Sequence, residues 1–264
     1  MSFFSVSDLT AGYDNQTVID QVSFCVERGC MIGILGANGS GKTTLLKAIC
    51  GILPHTGNCI LDHCLLENLS VRQLSRYCSY IPQRSGISID ISALDVVLMG
   101  FNPRLGILEH PTKAMEDAAF QALSQVGLAQ QAQTNYLHLS EGQKQLCILA
   151  RTLIAGSKLL LLDEPESALD FHHRYQMLEI LRNWIKAEEK AAIVTLHDPS
   201  LALNYCDQLL LLEKGSVVGT LYPKSDSLER MEQLLTSIYG PINLQVCRTP
   251  NGHSQIVLLK ENVL

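Results

Sequence analysis

Residues 36 to 44 read Gly-Ala-Asn-Gly-Ser-Gly-Lys-Thr-Thr. Glycines at Gly36, Gly39 and Gly41 let the backbone turn tightly, so that successive N–H groups point into one concavity suited to phosphate oxygens. Lys42 has the reach for the outer phosphates of a nucleotide, and the Thr43 hydroxyl suits the shell of a Mg²⁺ ion. This G-x-x-x-x-G-K-[ST] spacing works only between a strand and a helix, whose N-terminal dipole also favours the anion. Both are present: Met31 to Leu35 is a short apolar run, and Lys42 to Cys50 is helical in pattern, closed by Gly51 and Pro54. A second chemical group sits at Leu159-Leu160-Leu161-Leu162-Asp163-Glu164. It reads as a buried strand tipped by two acids. Asp163 can hold Mg²⁺ through its water shell, and Glu164, one residue further out, can take a proton from an attacking water. An acidic turn would also explain Asp-Glu-Pro; pairing with the loop at Gly36 favours the catalytic reading.

These groups need a scaffold that brings strand ends together. Strand signals run from Phe3 to Leu9, Val18 to Val26, Leu159 to Leu162 and Ala192 to Leu196. A long amphipathic helix, about Phe171 to Ala187, lies between the last two. Ser92 and Thr112 are expected helix N-caps, and Ala118, Ala122, Leu123 and Val126 recur at helical spacing, so residues from about 92 to 155 read as mostly helical. Alternating strands and helices predict an α/β fold with a parallel sheet covered on both faces. After Pro223 a helix and two strands, Leu244 to Cys247 and Gln255 to Leu259, are expected as a short appendage.

Composition narrows the class. Of 264 residues 47% are apolar and 17% charged, which suits neither a disordered chain nor a coiled coil. Net charge is −6 with no basic block, so nucleic acid is not an expected partner. No apolar run approaches the roughly 20 residues of a membrane span, and the first basic residue is Arg28, which leaves no signal-peptide pattern; a cytoplasmic chain is expected. The nine cysteines form no C-x-x-C pair and read as reduced thiols. His55, Cys59, His63 and Cys64 match no zinc spacing, and this stretch reads as strand and turn edges rather than a metal site.

At Leu139-Ser140-Glu141-Gly142-Gln143 the chain resembles the signature motif of ABC-transporter ATPases, and other motifs then fall into register from about residue 3 to 222. They are Tyr13 before the second strand, Gln83 after Tyr80-Ile81-Pro82, Ser167-Ala168-Leu169-Asp170 after the two acids, and His197 at the end of the next strand. The resemblance implies a RecA-like P-loop core with an N-terminal antiparallel β subdomain and an inserted helical subdomain at about 86–157, followed by an α+β appendage at 223–264. It implies ATP and Mg²⁺ as ligands. Glu164, His197 and Gln83 would be catalytic. Thr43, Gln83 and Asp163 would serve the metal. The nucleotide would meet Tyr13, Val18, Gly36, Asn38, Gly39, Ser40, Gly41, Lys42, Thr43 and Thr44. A second copy would contribute Ser140, Gly142, Gln143 and Asp170, so that ATP joins a head-to-tail homodimer. Asp170 would also cap the helix that starts at Phe171. Two positions depart from the pattern: Glu141 replaces the usual glycine and Leu146 a frequent arginine.

Softer similarities, Ala93 to Gly100, Pro103-Arg104-Leu105-Gly106 and Leu196-His197-Asp198, resemble the ATPases of iron-siderophore, haem and cobalamin importers. They imply a subunit on the inner face of the cell membrane, bound to two copies of a permease and served indirectly by a substrate-binding protein. Apolar Leu98, Met99, Phe101, Leu105 and Ile107 are expected to line part of the permease groove. The alternatives are an ATPase for another importer (of a metal ion or oxyanion) and a non-transport ABC ATPase.

Overall fold

The computed structural model describes residues 2–260 apart from 15, 84–85, 107, 249–251 and 253. The chain opens with β1 (Phe4–Tyr13), which buries Phe4, Val6, Leu9 and Ala11 and slips register at a bulge near Asp8, whose φ is +51°. It pairs antiparallel with β2 (Gln16–Val26). All five residues of β3 (Met31–Leu35) are buried, as a strand covered on both faces requires. The glycine-rich loop follows and opens α1 (Lys42–Ile49). Next, β4 (His55–Leu61) and β5 (Cys64–Leu65) complete an antiparallel sheet of order β2-β1-β4-β5. A capping box between Ser70 and Gln73 starts α2 (Val71–Tyr77), which leads into β6 (Cys78–Ile81).

Three helices follow: α3 (Ala93–Leu98), α4 (Lys113–Gln125) and α5 (Glu141–Ala155), with Ser92, Thr112 and Ser140 as side-chain caps. They pack through Val96, Val97, Ala119, Ala122, Leu123 and Leu149. Gly100 lies so near α5 that a Cβ there would stand 2.4 Å from the Arg151 carbonyl oxygen. Three arginines tie the 99–106 segment to its surroundings: Arg72 and Arg76 donate to the carbonyls of Leu105 and Pro103, and Arg104 to that of Ala155. The expected apolar lining of the groove is corrected at one residue. Phe101 is buried at 8% exposure, because the short 3₁₀ turn Met99–Phe101 packs it against α5; Leu98, Met99 and Leu105 are half-buried. Ile107 lies outside the described residues.

The central sheet is finished by β7 (Leu159–Asp163), α6 (Phe171–Ala187), β8 (Ala191–Thr195), α7 (Pro199–Tyr205), β9 (Gln208–Glu213) and β10 (Ser216–Leu221). Its order is β10-β9-β3-β8-β7-β6, parallel throughout except for β10. Period-two alternation gives this sheet two cores. Ile32, Ile34, Leu159 and Leu161 pack with α1 and the antiparallel sheet. Met31, Leu35, Leu160 and Leu162 pack on the opposite side with α5 and α6. The α/β architecture expected from the sequence is the one observed. Among the described residues no helix is long and apolar enough to cross a membrane.

The chain continues with α8 (Leu228–Tyr239) and a hairpin of β11 (Ile242–Arg248) and β12 (Ser254–Lys260). An edge strand leaves backbone groups in need of partners. For β12 they come from α7. The Asn204 side chain donates to the Ile256 carbonyl at 2.8 Å and accepts from the Ile256 amide at 2.9 Å, while Ser200 Oγ accepts from the Leu258 amide at 3.1 Å. Asn204 thus acts as one rung of a strand. Replacing it by leucine, Asn204→Leu, removes both bonds at a cost of about 1–3 kcal/mol. Amide exchange at Ile256 and Leu258 should accelerate at least about tenfold, with the central sheet unaffected; unchanged exchange would refute the clasp.

Candidate functional site

The loop between β3 and α1 takes its shape from Gly39 and Gly41, at φ +80° and +104°. A Cβ on Gly41 would also meet Ile19 Cδ1 at 2.5 Å, so no larger residue fits. Lys42 is 6% exposed, and its Nζ donates to the carbonyls of Gly36 at 2.9 Å and Ala37 at 3.2 Å. Burial lowers its pKa, against the opposing pull of Glu164 and Asp163. The cavity over the loop, about 210 Å³, is lined by Val18, Asn38, Gly39, the Gly41–Thr44 run and Glu164. Ser40 is buried beneath it, and its Oγ lacks a hydrogen-bond partner among the described residues. Tyr13, at the exposed end of β1, stands outside this lining.

Asp163 ends β7 at 3% exposure, and three hydroxyls aim at it. Thr43 Oγ1 and Thr195 Oγ1 donate to its Oδ1 at 3.1 and 3.0 Å, and the Tyr80 hydroxyl donates to Oδ2 at 3.1 Å. Burial, followed by the Asp163 charge, pushes the Tyr80 phenol well up, so it remains a proton donor. Sequence reasoning gave neither Tyr80 nor Thr195 a role. The available signal was Thr195 itself, a hydroxyl ending an otherwise apolar strand.

The next residue turns sharply. Glu164 has φ +49°, a left-handed conformation costing on the order of 1 kcal/mol or more in a non-glycine residue, and its amide donates to Thr195 Oγ1 at 2.8 Å. Both carboxylate oxygens are held: Gln83 Nε2 donates to Oε2 at 2.6 Å, and His197 Nε2 lies 2.7 Å from Oε1. Three expected catalytic residues, from the ends of β6, β7 and β8, therefore meet at one carboxyl group. Gln83 is on Glu164 here, not on the Thr43–Asp163 pair that it was expected to join at the metal. Beneath His197 lies Glu166, a residue not foreseen, 3% exposed. Its Oε1 accepts from the His197 amide at 3.0 Å, whereas Oε2 lacks a partner among the described residues. Burial raises its pKa, countered in part by that amide.

Ser140, Gly142, Gln143 and Asp170 are not at the loop. They line a separate cavity of about 410 Å³ with Glu141, Leu146 and His173. Ser140 Oγ accepts from the Gln143 amide at 3.2 Å, and the Gln143 side chain accepts from the Ser140 amide at 3.0 Å. Glu141 is 73% exposed and pairs with Lys144 Nζ at 2.8 Å, one turn along α5. Asp170 caps α6, accepting from the His173 amide at 2.9 Å and lying 2.8 Å from His173 Nδ1. These contacts, the amide first, hold its carboxyl below the usual range.

Comparison with known proteins places the chain in a family. Residues 19–167 match the family model described as ABC transporter. The hemin import ATP-binding protein of Escherichia coli O157:H7 is 32% identical over 97% of this chain and 98% of its own length. The cobalamin import ATP-binding protein of Halobacterium salinarum is 33% identical over 79% of this chain and 52% of its own length. Among solved structures, one chain of an inward-facing transporter assigned to the metal-chelate type superposes with TM-score 0.83 and 26% identity, covering both chains fully.

The Glu166 contact yields a test with a definite sign. A carboxyl whose folded pKa is raised favours folding in its protonated form. That contribution is whole below the unfolded pKa and is lost as pH rises through the folded value. Glu166→Gln keeps an acceptor for the His197 amide and removes the buried charge. Its Tm should exceed that of the wild type at pH 8, and the gap should close as pH falls into the ordinary carboxylate range. A lower Tm at pH 8 would show that the ionised form is stabilising.

Proposed function

The chain belongs to the ABC transporter family, and from that premise we propose that it is the ATP-hydrolysing subunit of an importer for an iron-siderophore, haem or cobalamin-type substrate. The observation that carries hydrolysis, rather than nucleotide binding alone, is the double hold on Glu164 by Gln83 and His197 beside the phosphate loop. A carboxylate so fixed is oriented to take a proton from water attacking the outer phosphate. His197 would steady Glu164 and hydrogen-bond the phosphate, and Lys42 would leave the loop carbonyls to bind phosphate oxygens. Tyr13 offers an aromatic face to the adenine. The Thr43 hydroxyl and the Asp163 carboxylate form an all-oxygen donor pair that fits Mg²⁺, with Gln83 in reach of the same region. When bound, the cation neutralises charge developing on the phosphates.

The separate cavity at Ser140 supports the ATP-dependent homodimer. One copy holds the phosphates on its loop, and the other offers the N-terminus of α5, with Ser140, Gly142 and Gln143, to the outermost one. Residues 1–222 would form the ATPase domain, with its helical part at about 86–157, and 223–264 the appendage. A permease of two subunits would bind on the cytoplasmic side, near the half-buried 98–106 segment, with a substrate-binding protein acting further off. The importer relatives and the metal-chelate transporter chain support this subtype.

Two experiments test the reading. Glu164→Gln keeps the shape of the side chain but cannot take a proton. ATP and Mg²⁺ should then trap a species of twice the chain mass on sizing, with turnover nearly abolished; a persistent monomer would refute the shared site. For Glu141, the bond to Lys144 keeps its carboxylate off the anion site. Glu141→Gly should therefore change ATPase rate by less than about threefold, ~0.65 kcal/mol. Acceleration of tenfold or more would instead identify Glu141 as a brake.

A further inference from the structure

Away from the nucleotide residues, the antiparallel sheet brings three metal-ligating side chains together. His55 and Cys59 lie four residues apart on β4, where a regular strand would hold them about 13 Å apart. The strand is not regular. Gly57 sits at φ +88°, and a Cβ there would stand 2.5 Å from the Ser7 carbonyl and 2.6 Å from that of Asp8. At that point the pairing with β1 jumps from Ser7↔Asn58 to Thr10↔Thr56. The kink draws His55 and Cys59 together, and the 3₁₀ turn Leu66–Asn68 returns Glu67 over both. A ring nitrogen of His55, the Cys59 sulfur and a carboxylate oxygen of Glu67 all lie within 4.8 Å of one another. His63 and Cys64, the neighbours that sequence spacing grouped with them, are outside this cluster, and Glu67 takes their place.

We propose that His55 Nε2, Cys59 Sγ and a Glu67 carboxylate oxygen form a binding site for a divalent cation of the zinc type, distinct from the oxygen donors at Asp163. One nitrogen, one sulfur and one oxygen suit Zn²⁺ or Co²⁺ and not Mg²⁺, which takes oxygen ligands. Tetrahedral coordination at about 2.0–2.3 Å sets ligand atoms roughly 3.3–3.8 Å apart, so the cluster needs to adjust by only about 1 Å. Glu67 Oε1 already accepts from the Cys59 amide at 2.7 Å and lies 3.0 Å from His55 Nε2. These contacts fix the carboxylate between the other two ligands. The Cys59 side chain is fully buried and that of His55 nearly so, while Glu67 keeps 26% exposure, leaving a fourth position open to water. Binding releases the thiol proton, and a proton on His55 Nε2 moves to Nδ1. The dication offsets the negative charge that a thiolate and a carboxylate would otherwise share at short range. Burial and the Glu67 charge push the free thiol well up, so the metal must compete with that proton.

The test titrates the metal-free full chain with Co²⁺ alone. A near-ultraviolet thiolate-to-cobalt band should grow to one equivalent per chain and vanish on addition of Zn²⁺; oxygen ligands at Thr43 and Asp163 give no such band. Cys59→Ser should abolish it and Cys64→Ser should preserve it. Because Cys59 is in the core, His55→Gln and Glu67→Gln serve as variants at the rim. Each should weaken cobalt binding by about tenfold or more. Zn²⁺ should raise the Tm of the wild type and not that of His55→Gln. No band in the wild type, a band that survives in folded Cys59→Ser, or unweakened binding in both rim variants would overturn the site.

Discussion

A carboxylate buried at the tip of β7 is tolerable only if its charge is answered by hydrogen bonds, and Asp163 sets the terms for the structure around it. Its donors come from three different elements: Tyr80 on β6, Thr195 on β8 and Thr43 on α1. The neighbours of β7 in the sheet must therefore be β6 and β8, ending at the same level, and α1 must lie across those ends. Glycine in the preceding loop allows this, since Gly41 turns at φ +104° where an added Cβ would stand 2.5 Å from Ile19 Cδ1. One ionic requirement thus couples the order of the sheet to the shape of the anion cradle.

Glu164 inherits its position from the same constraint. Thr195 donates to Asp163 and accepts from the Glu164 amide, so one hydroxyl orients the side chain of the first acid and the backbone of the second. The left-handed turn then sends the Glu164 carboxylate toward Gln83 and His197. Those partners lie where chain segments leave the sheet: Gln83 just ahead of the helical region, His197 just ahead of α7. In the proposed dimer, a shift of either segment would move Glu164, the group proposed to take a proton from water. α7 also carries Ser200 and Asn204, which hold the edge of β12. The C-terminal hairpin is thereby linked through a single short helix to His197.

The signature region obeys a different logic. Ser140 and Gln143 satisfy each other's backbone amides, which secures the first turn of α5 without help from a ligand. Glu141 then has freedom to turn outward, where Lys144 and the helix dipole both favour it. An acid at this position is compatible with the proposed anion site because its carboxylate is paired with Lys144.

Much of this was legible in the residues themselves. The glycine spacing and Lys42 define the loop, the run Leu159–Asp163 defines the strand, and Ser92, Thr112, Ser140 and Asp170 mark helix starts, because caps and turns are local chemistry. The α/β fold class followed from the alternation of strands and helices. Residues that act across elements were hidden. Thr195, Tyr80 and Glu166 owe their roles to strands adjacent only in space, and no periodicity reveals which side chain will face a buried charge. Phe101 reads as an exposed apolar residue until the 3₁₀ turn packs it on α5. Glu67 joins His55 and Cys59 only because Gly57 kinks β4 and a turn folds back. The sequence by itself determined which groups can hold phosphate, accept a proton or begin a helix, since those depend on residue type and short spacing. The tertiary structure alone decided which of them meet, because distances across a sheet are set by strand order and bulges that no local pattern encodes.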